Sequence, residues 1–175
     1  MNILSQLLEL IVRKRHLRDV TYDPYFALFY TAFAVGLGYV TNIMAKGYSE
    51  PFLYSFTQVV AQSAVLFLIL TINKKQNRFV QTCTALFGVT TILVLVMVLI
   101  SQIPILQATT FFIVGWNFYL SFIILKQAIE CSSLRAIFIA VGINLISVLV
   151  VSMVFPEFQN EVMSIIESAK TAQES

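Results

Sequence analysis

The sequence is poor in the residues on which most enzymes and metal proteins rely. It holds one histidine, His16, and two cysteines, Cys83 and Cys131. Neither a Cys/His metal site nor a His-dependent catalytic triad can be assembled from that stock. Charge is equally scarce: Asp, Glu, Lys and Arg make up 11% of the 175 residues, against about 25% in an average soluble domain. Eleven Lys and Arg against nine Asp and Glu leave a net charge of +2, too little for the cationic surface that nucleic acid demands. No cofactor, metal or nucleic-acid partner is expected.

What the chain has instead is apolar bulk. Hydrophobic residues reach 58%, fifteen Phe and seven Tyr are present, and the mean hydropathy is +0.84. A soluble globule of this size has no place for so much apolar surface, because its outside must still be wetted. The composition therefore points to an all-α polytopic membrane protein whose principal partner is the lipid bilayer.

Five apolar stretches can be drawn, at Tyr25–Ala45, Phe52–Ile72, Phe79–Ile100, Ile105–Leu125 and Leu134–Phe155. Apart from Arg135 at the mouth of the fifth, none contains Asp, Glu, Lys or Arg. Each runs 21 or 22 residues, close to the number a helix needs to cross the hydrocarbon layer. The four prolines mark their edges: Pro24, Pro51 and Pro104 precede spans one, two and four, and Pro156 follows span five. Proline suits a first turn or a stop and disrupts a helix interior. The runs lack the period-2 alternation of barrel strands. One domain covers 1–175, with a basic segment at 1–24 and an acidic tail at 156–175.

The cations test the count of five. Arg13, Lys14, Arg15 and Arg18, then Lys74, Lys75 and Arg78, then Lys126 and Arg135 all fall on one side, whereas Lys46 and Lys170 fall on the other. By the positive-inside rule the N-terminus is cytoplasmic and the C-terminus outside. Merging or dropping a span would erase that asymmetry. Glu157, Glu161, Glu167 and Glu174 gather in the external tail, where Phe158, Val162, Ile165, Ile166 and Ala169 have the spacing of a short amphipathic helix. At the other end the apolar stretch Ile3–Val12 precedes Arg13, Lys14 and Arg15, the reverse of a signal peptide, so the N-terminus is expected to be retained.

Residues 2–13 read as a helix on the membrane surface. At about 100° per residue, Leu4, Leu7, Leu8 and Ile11 share one face, and Asn2, Ser5, Gln6, Glu9 and Arg13 cluster opposite. Two readings use the same residues. In one, Arg13, Lys14, Arg15 and Arg18 contact anionic lipid headgroups. In the other, the helix docks on the protein's own spans.

Inside the spans, neutral polar residues stand out. Gln58 and Gln62 lie four apart on one face of span two, Thr41-Asn42 close span one, Asn117 sits in span four and Asn144 in span five. Amides facing lipid are costly, so these should point inward. They serve either as a polar path for a solute or as hydrogen-bonding glue between helices. Trp116 is expected to pack deep in span four. Ser63, Ser121, Ser147 and Ser152 have no His, Lys, Asp or Glu in any span to activate them, so no catalytic residue and no enzyme is expected. Cys83 and Cys131 face the reducing side and are expected to stay free thiols.

Gly115-Trp116-Asn117, running through Lys126-Gln127-Ala128 to Ser133-Leu134-Arg135-Ala136, resembles the Yip1-domain family of small five-span membrane proteins. Tyr22-Asp23-Pro24 stands where that family has an Asp-to-Pro motif, without its intervening residues and glycine. About 24 residues precede span one, not the long cytosolic region of eukaryotic members. The resemblance thus implies a prokaryotic-type member in the bacterial inner membrane rather than a small-GTPase partner. It implies a fold more than an activity.

Two functions follow. The first is a non-enzymatic membrane protein that organises membrane or binds other membrane proteins, or itself as a homo-oligomer. The second is a small channel or transporter subunit with a neutral polar path. A path requires a continuous polar cavity at the bilayer midplane, which an organiser does not. On topology, cysteine-accessibility mapping should label position 5 from the cytoplasm and position 168 from outside. Labelling of both from one side would mean an even number of spans.

Overall fold

The computed structural model describes residues 3–12, 16–45, 50–101, 103 and 108–155. They form six helices: α1 (Ile3–Ile11), α2 (Pro24–Ala45), α3 (Pro51–Ile72), α4 (Phe79–Ser101), α5 (Thr109–Ile129) and α6 (Ser133–Val154). Short 3-10 turns occupy Leu17–Asp19 and Gln76–Arg78, and no strand occurs among the described residues. Helices α2 to α6 are long and apolar enough to cross a bilayer, as a multi-pass membrane protein requires. The expected tail helix, the Arg13-Lys14-Arg15 run and most of the loop between α4 and α5 lie outside the described residues.

Local chemistry sets the helix ends. Pro24 and Pro51 open α2 and α3, where their missing N–H is no loss. The Asp23 carboxylate accepts a hydrogen bond from the Tyr25 N–H at 2.9 Å, and the Ser132 hydroxyl accepts from the Arg135 N–H at 3.5 Å to cap α6. Four spans match the expected bounds within one residue, but the fourth does not. It runs Thr109–Ile129 rather than Ile105–Leu125. Lys126 and Gln127, read as loop, form the last turn of α5. A lysine is favourable at that end of a helix, and Lys126 reaches the Ser133 hydroxyl at 2.9 Å. The Arg78 guanidinium donates to the Gln127 and Ala128 carbonyls at 3.1 and 3.2 Å, satisfying acceptors that the helix end leaves open. The eight-residue loop expected from Lys126 to Ser133 shrinks to Glu130–Ser132, with Glu130 in the left-handed region (φ 56°).

The five spans close into a ring in the order α2, α3, α6, α5, α4, each packing chiefly on its two neighbours. Helix α4 is the most enclosed, because α1 and the Leu17–Asp19 turn also cover it from outside. Leu7 is fully buried against Gly88 of α4, where an added Cβ would meet a Leu7 methyl at 2.6 Å. A larger residue at 88 would require the Leu7 side chain to shift.

Helix α1 is therefore docked on the bundle, and through a face rotated from the one expected. Ile3, Gln6, Leu7 and Leu10 are buried, whereas Leu4, Leu8 and Val12 are exposed. Gln6 leaves the polar side because Thr21 satisfies it: its amide donates to the Thr21 hydroxyl at 2.9 Å and accepts from the Thr21 N–H at 3.0 Å. Trp116 also departs from expectation. It is 41% exposed beside Tyr119, since α5 buries its other half at Leu120, Ile124, Leu125 and Ala128. Leu7→Ala should destabilise the protein in detergent by about 2–5 kcal/mol, and Leu4→Ala by much less. Equal losses of thermal midpoint would mean that α1 is docked differently.

Candidate functional site

The polar residues of the spans meet at one level. Gln62, Thr90, Asn117 and Asn144 each stand within two residues of the midpoint of α3, α4, α5 and α6 respectively. The ring turns them inward. A cavity of about 120 Å³ is lined by Gln62, Thr90, Asn117, Ser121 and Asn144, among apolar side chains that include Leu66, Phe87 and Leu125. A second cavity of about 210 Å³ lies between α2, α3 and α4, lined by Thr41, Gln58, Gln62, Thr90 and Thr91. The two share Gln62, Phe87 and Thr90. Three of the four intramembrane amides singled out from the sequence thus line one chamber, and Gln58 lines its neighbour.

Their hydrogen bonds separate glue from something else. Asn117 acts between helices: its Oδ1 accepts from the Thr90 hydroxyl at 3.2 Å. Asn42 does the same at the far end of α2, donating to the Ser55 hydroxyl at 2.9 Å where Gly38 lets α3 approach. Asn144 turns back on its own helix and donates to the Ala140 carbonyl at 2.8 Å. The amides of Gln58 and Gln62 make no hydrogen bond among the described residues. The Thr91 hydroxyl, on a residue 3% exposed, has no partner either. Groups of this kind cannot be left bare in hydrocarbon. Room, polarity and unmet partners together are the conditions under which an interior takes up water.

Toward the basic end the ring is filled. Leu66, Leu70, Leu120, Ile124, Leu125 and Ala128 are all 2% exposed or less and belong to one apolar core cluster, a plug whose Leu66 and Leu125 also wall the smaller chamber. Beyond the plug, Glu130 accepts from Lys75 and Arg78, each at 2.5 Å, and joins the α3–α4 connection to the α5–α6 turn. Hydrogen bonding from Lys75, then from Arg78, holds the Glu130 carboxyl below its usual range. The bridge therefore persists above that lowered value and is lost as the pH falls through it. Another cavity, of about 250 Å³, lies there between His16, Leu17, Arg18, Arg78, Gln81, Gln127 and Glu130. Of the proposed headgroup contacts, Arg18 is exposed in the Leu17–Asp19 turn, and Arg13, Lys14 and Arg15 lie outside the described residues.

Thr41, singled out from the sequence, lines the second cavity, whereas sequence reasoning missed Thr90 and Thr91. A helical threonine usually satisfies itself, as Thr82 and Thr84 do by donating to the carbonyls of Arg78 and Val80, so its type alone carries no signal. Cys83 is buried and Cys131 half-buried, and both are free. Among the described residues, no group of three or more His, Cys, Asp or Glu lies together. No family model, curated protein or solved structure matches the chain.

A dry chamber would make the Thr91 hydroxyl a liability, and Thr91→Val would then raise the thermal midpoint by relieving about 1–3 kcal/mol. In a hydrated chamber that gain is absent. We expect Thr91→Val to leave the midpoint in detergent unchanged or slightly lowered. A clear rise would indicate a dry cavity.

Proposed function

We propose that the chain is a non-enzymatic membrane protein of Yip1-like type that carries a small polar solute through the interior of its five-helix ring, as a channel or transporter unit. The observation supporting this reading is the pair of neighbouring chambers that share Gln62, Phe87 and Thr90 in their walls and hold two amides, Gln58 and Gln62, without partners among the described residues. A protein that only organises lipid or docks other membrane proteins has no use for such an interior. Interhelical glue would pair its amides, as Asn117 and Asn42 do. With its nine cations on the cytoplasmic side of a bacterial inner membrane, the plugged end faces the cytoplasm and the larger chamber lies toward the outside. In this reading the buried Leu66, Leu70 and Leu125 serve as an apolar constriction of the kind that gates by excluding water, and the conformation is a closed one.

Stopped-flow swelling of vesicles containing the reconstituted protein tests the reading. Leu70→Ser should hydrate the plug and raise osmotic permeability, and adding Gln58→Leu with Gln62→Leu should remove the increase without lowering thermal stability. Loss of stability in the double leucine variant, with permeability equal to that of empty vesicles in every variant, would return the amides to a packing role and favour the organiser.

A further inference from the structure

Among the described residues no titratable side chain lines the chambers, and from this we infer that the interior selects uncharged, hydrogen-bonding solutes of urea or glycerol size, with Gln62 as the residue that sets specificity. The inference rests on the solute-path reading above and names its substrate class. The polar walls consist of amides and hydroxyls, which donate and accept alike. An ion at this depth would lose its hydration shell and find no opposite charge, and the helical backbone carbonyls that might replace that shell are already committed. A neutral molecule with both donors and acceptors meets no such barrier.

Size narrows the class. At about 120 and 210 Å³ the chambers have room for a few waters or for one solute of urea or glycerol size. A solute that enters the larger chamber therefore exchanges part of its own hydration for the chamber walls. The Thr91 hydroxyl and the Gln58 amide, both without partners among the described residues, take the place of that water. Gln62, Phe87 and Thr90 line both chambers, so a solute crossing from one to the other passes the unpaired Gln62 amide. A carboxylate at that point would invert the selection by supplying the counter-charge an ion lacks.

The test uses the full-length protein carrying Leu70→Ser, reconstituted in vesicles, with urea, glycerol, potassium and chloride fluxes measured on the same preparation. Urea or glycerol should move well above the empty-vesicle rate while potassium and chloride do not. Gln62→Leu should lower the neutral flux about tenfold, as expected for one lost hydrogen bond to the solute, and Gln62→Asn should restore part of it. Gln62→Glu should admit potassium. Ion fluxes comparable to the neutral ones in the parent protein would overturn the selectivity claim and leave the solute path standing. An unchanged neutral flux in folded Gln62→Leu and Gln62→Asn, judged by their thermal midpoints, would overturn the role of Gln62. The absence of any flux, water included, would sink the path itself.

Discussion

In hydrocarbon a polar group cannot turn to solvent, and this constraint arranges the whole molecule. The backbone meets it by being helical. Serine and threonine hydroxyls meet it by donating to a carbonyl one turn back, as Thr31, Ser63, Thr71, Thr82, Thr84 and Ser147 do. Such residues can face any direction. An amide cannot be satisfied so simply, because it carries two N–H donors and a carbonyl. Gln58, Gln62, Asn117 and Asn144 therefore decide which faces of α3, α5 and α6 look inward. With one polar residue near the midpoint of each of four helices, a closed ring is the arrangement that removes them all from lipid.

The spans were legible because composition alone marks them: long uncharged runs, prolines at their edges, and cations gathered at alternate connections. The end of the fourth was misread because Lys126 looks like a loop residue, although at a helix C-terminus it is favourable and can extend to the surface. The face of α1 was misread for a related reason. Gln6 looks polar until Thr21, fifteen residues on, supplies both of its hydrogen bonds. Pairings at that separation leave no periodic trace. Nor was the ring order legible. The spans are apolar on every side, so hydropathy does not say which neighbour each one meets.

The candidate site was half legible on the same grounds. Residue type singled out the amides. The cavity around them depends on the inward threonines and on the packing of Phe87 and Leu66, which no pattern distinguishes from ordinary core. Thr90 and Thr91 sit in α4, one of the two most apolar helices. Of that adjacent pair, Thr90 bonds Asn117 on the neighbouring α5 while Thr91 has no partner among the described residues.

The basic end shows how little charge is needed to hold such a ring. Glu130 is 54% exposed at its side chain, so its bridges to Lys75 and Arg78 add little net stability in water. Their effect is positional: they bring the α3–α4 connection against the α5–α6 turn directly below the apolar plug. Nearby, the Leu17 N–H donates to Gln127 at 2.6 Å and the Gln81 amide donates to the Val20 carbonyl at 2.9 Å, fastening the chain that follows α1 to α5 and α4. Helix α1 is thus held at both ends of its contact, by Leu7 on Gly88 and by this stapled turn. Gly88 adjoins Phe87, which lines both chambers. A single turn of α4 therefore meets the N-terminal helix on its outer face and the polar interior on its inner face. The width of the chambers and the seat of α1 are set by the same few residues.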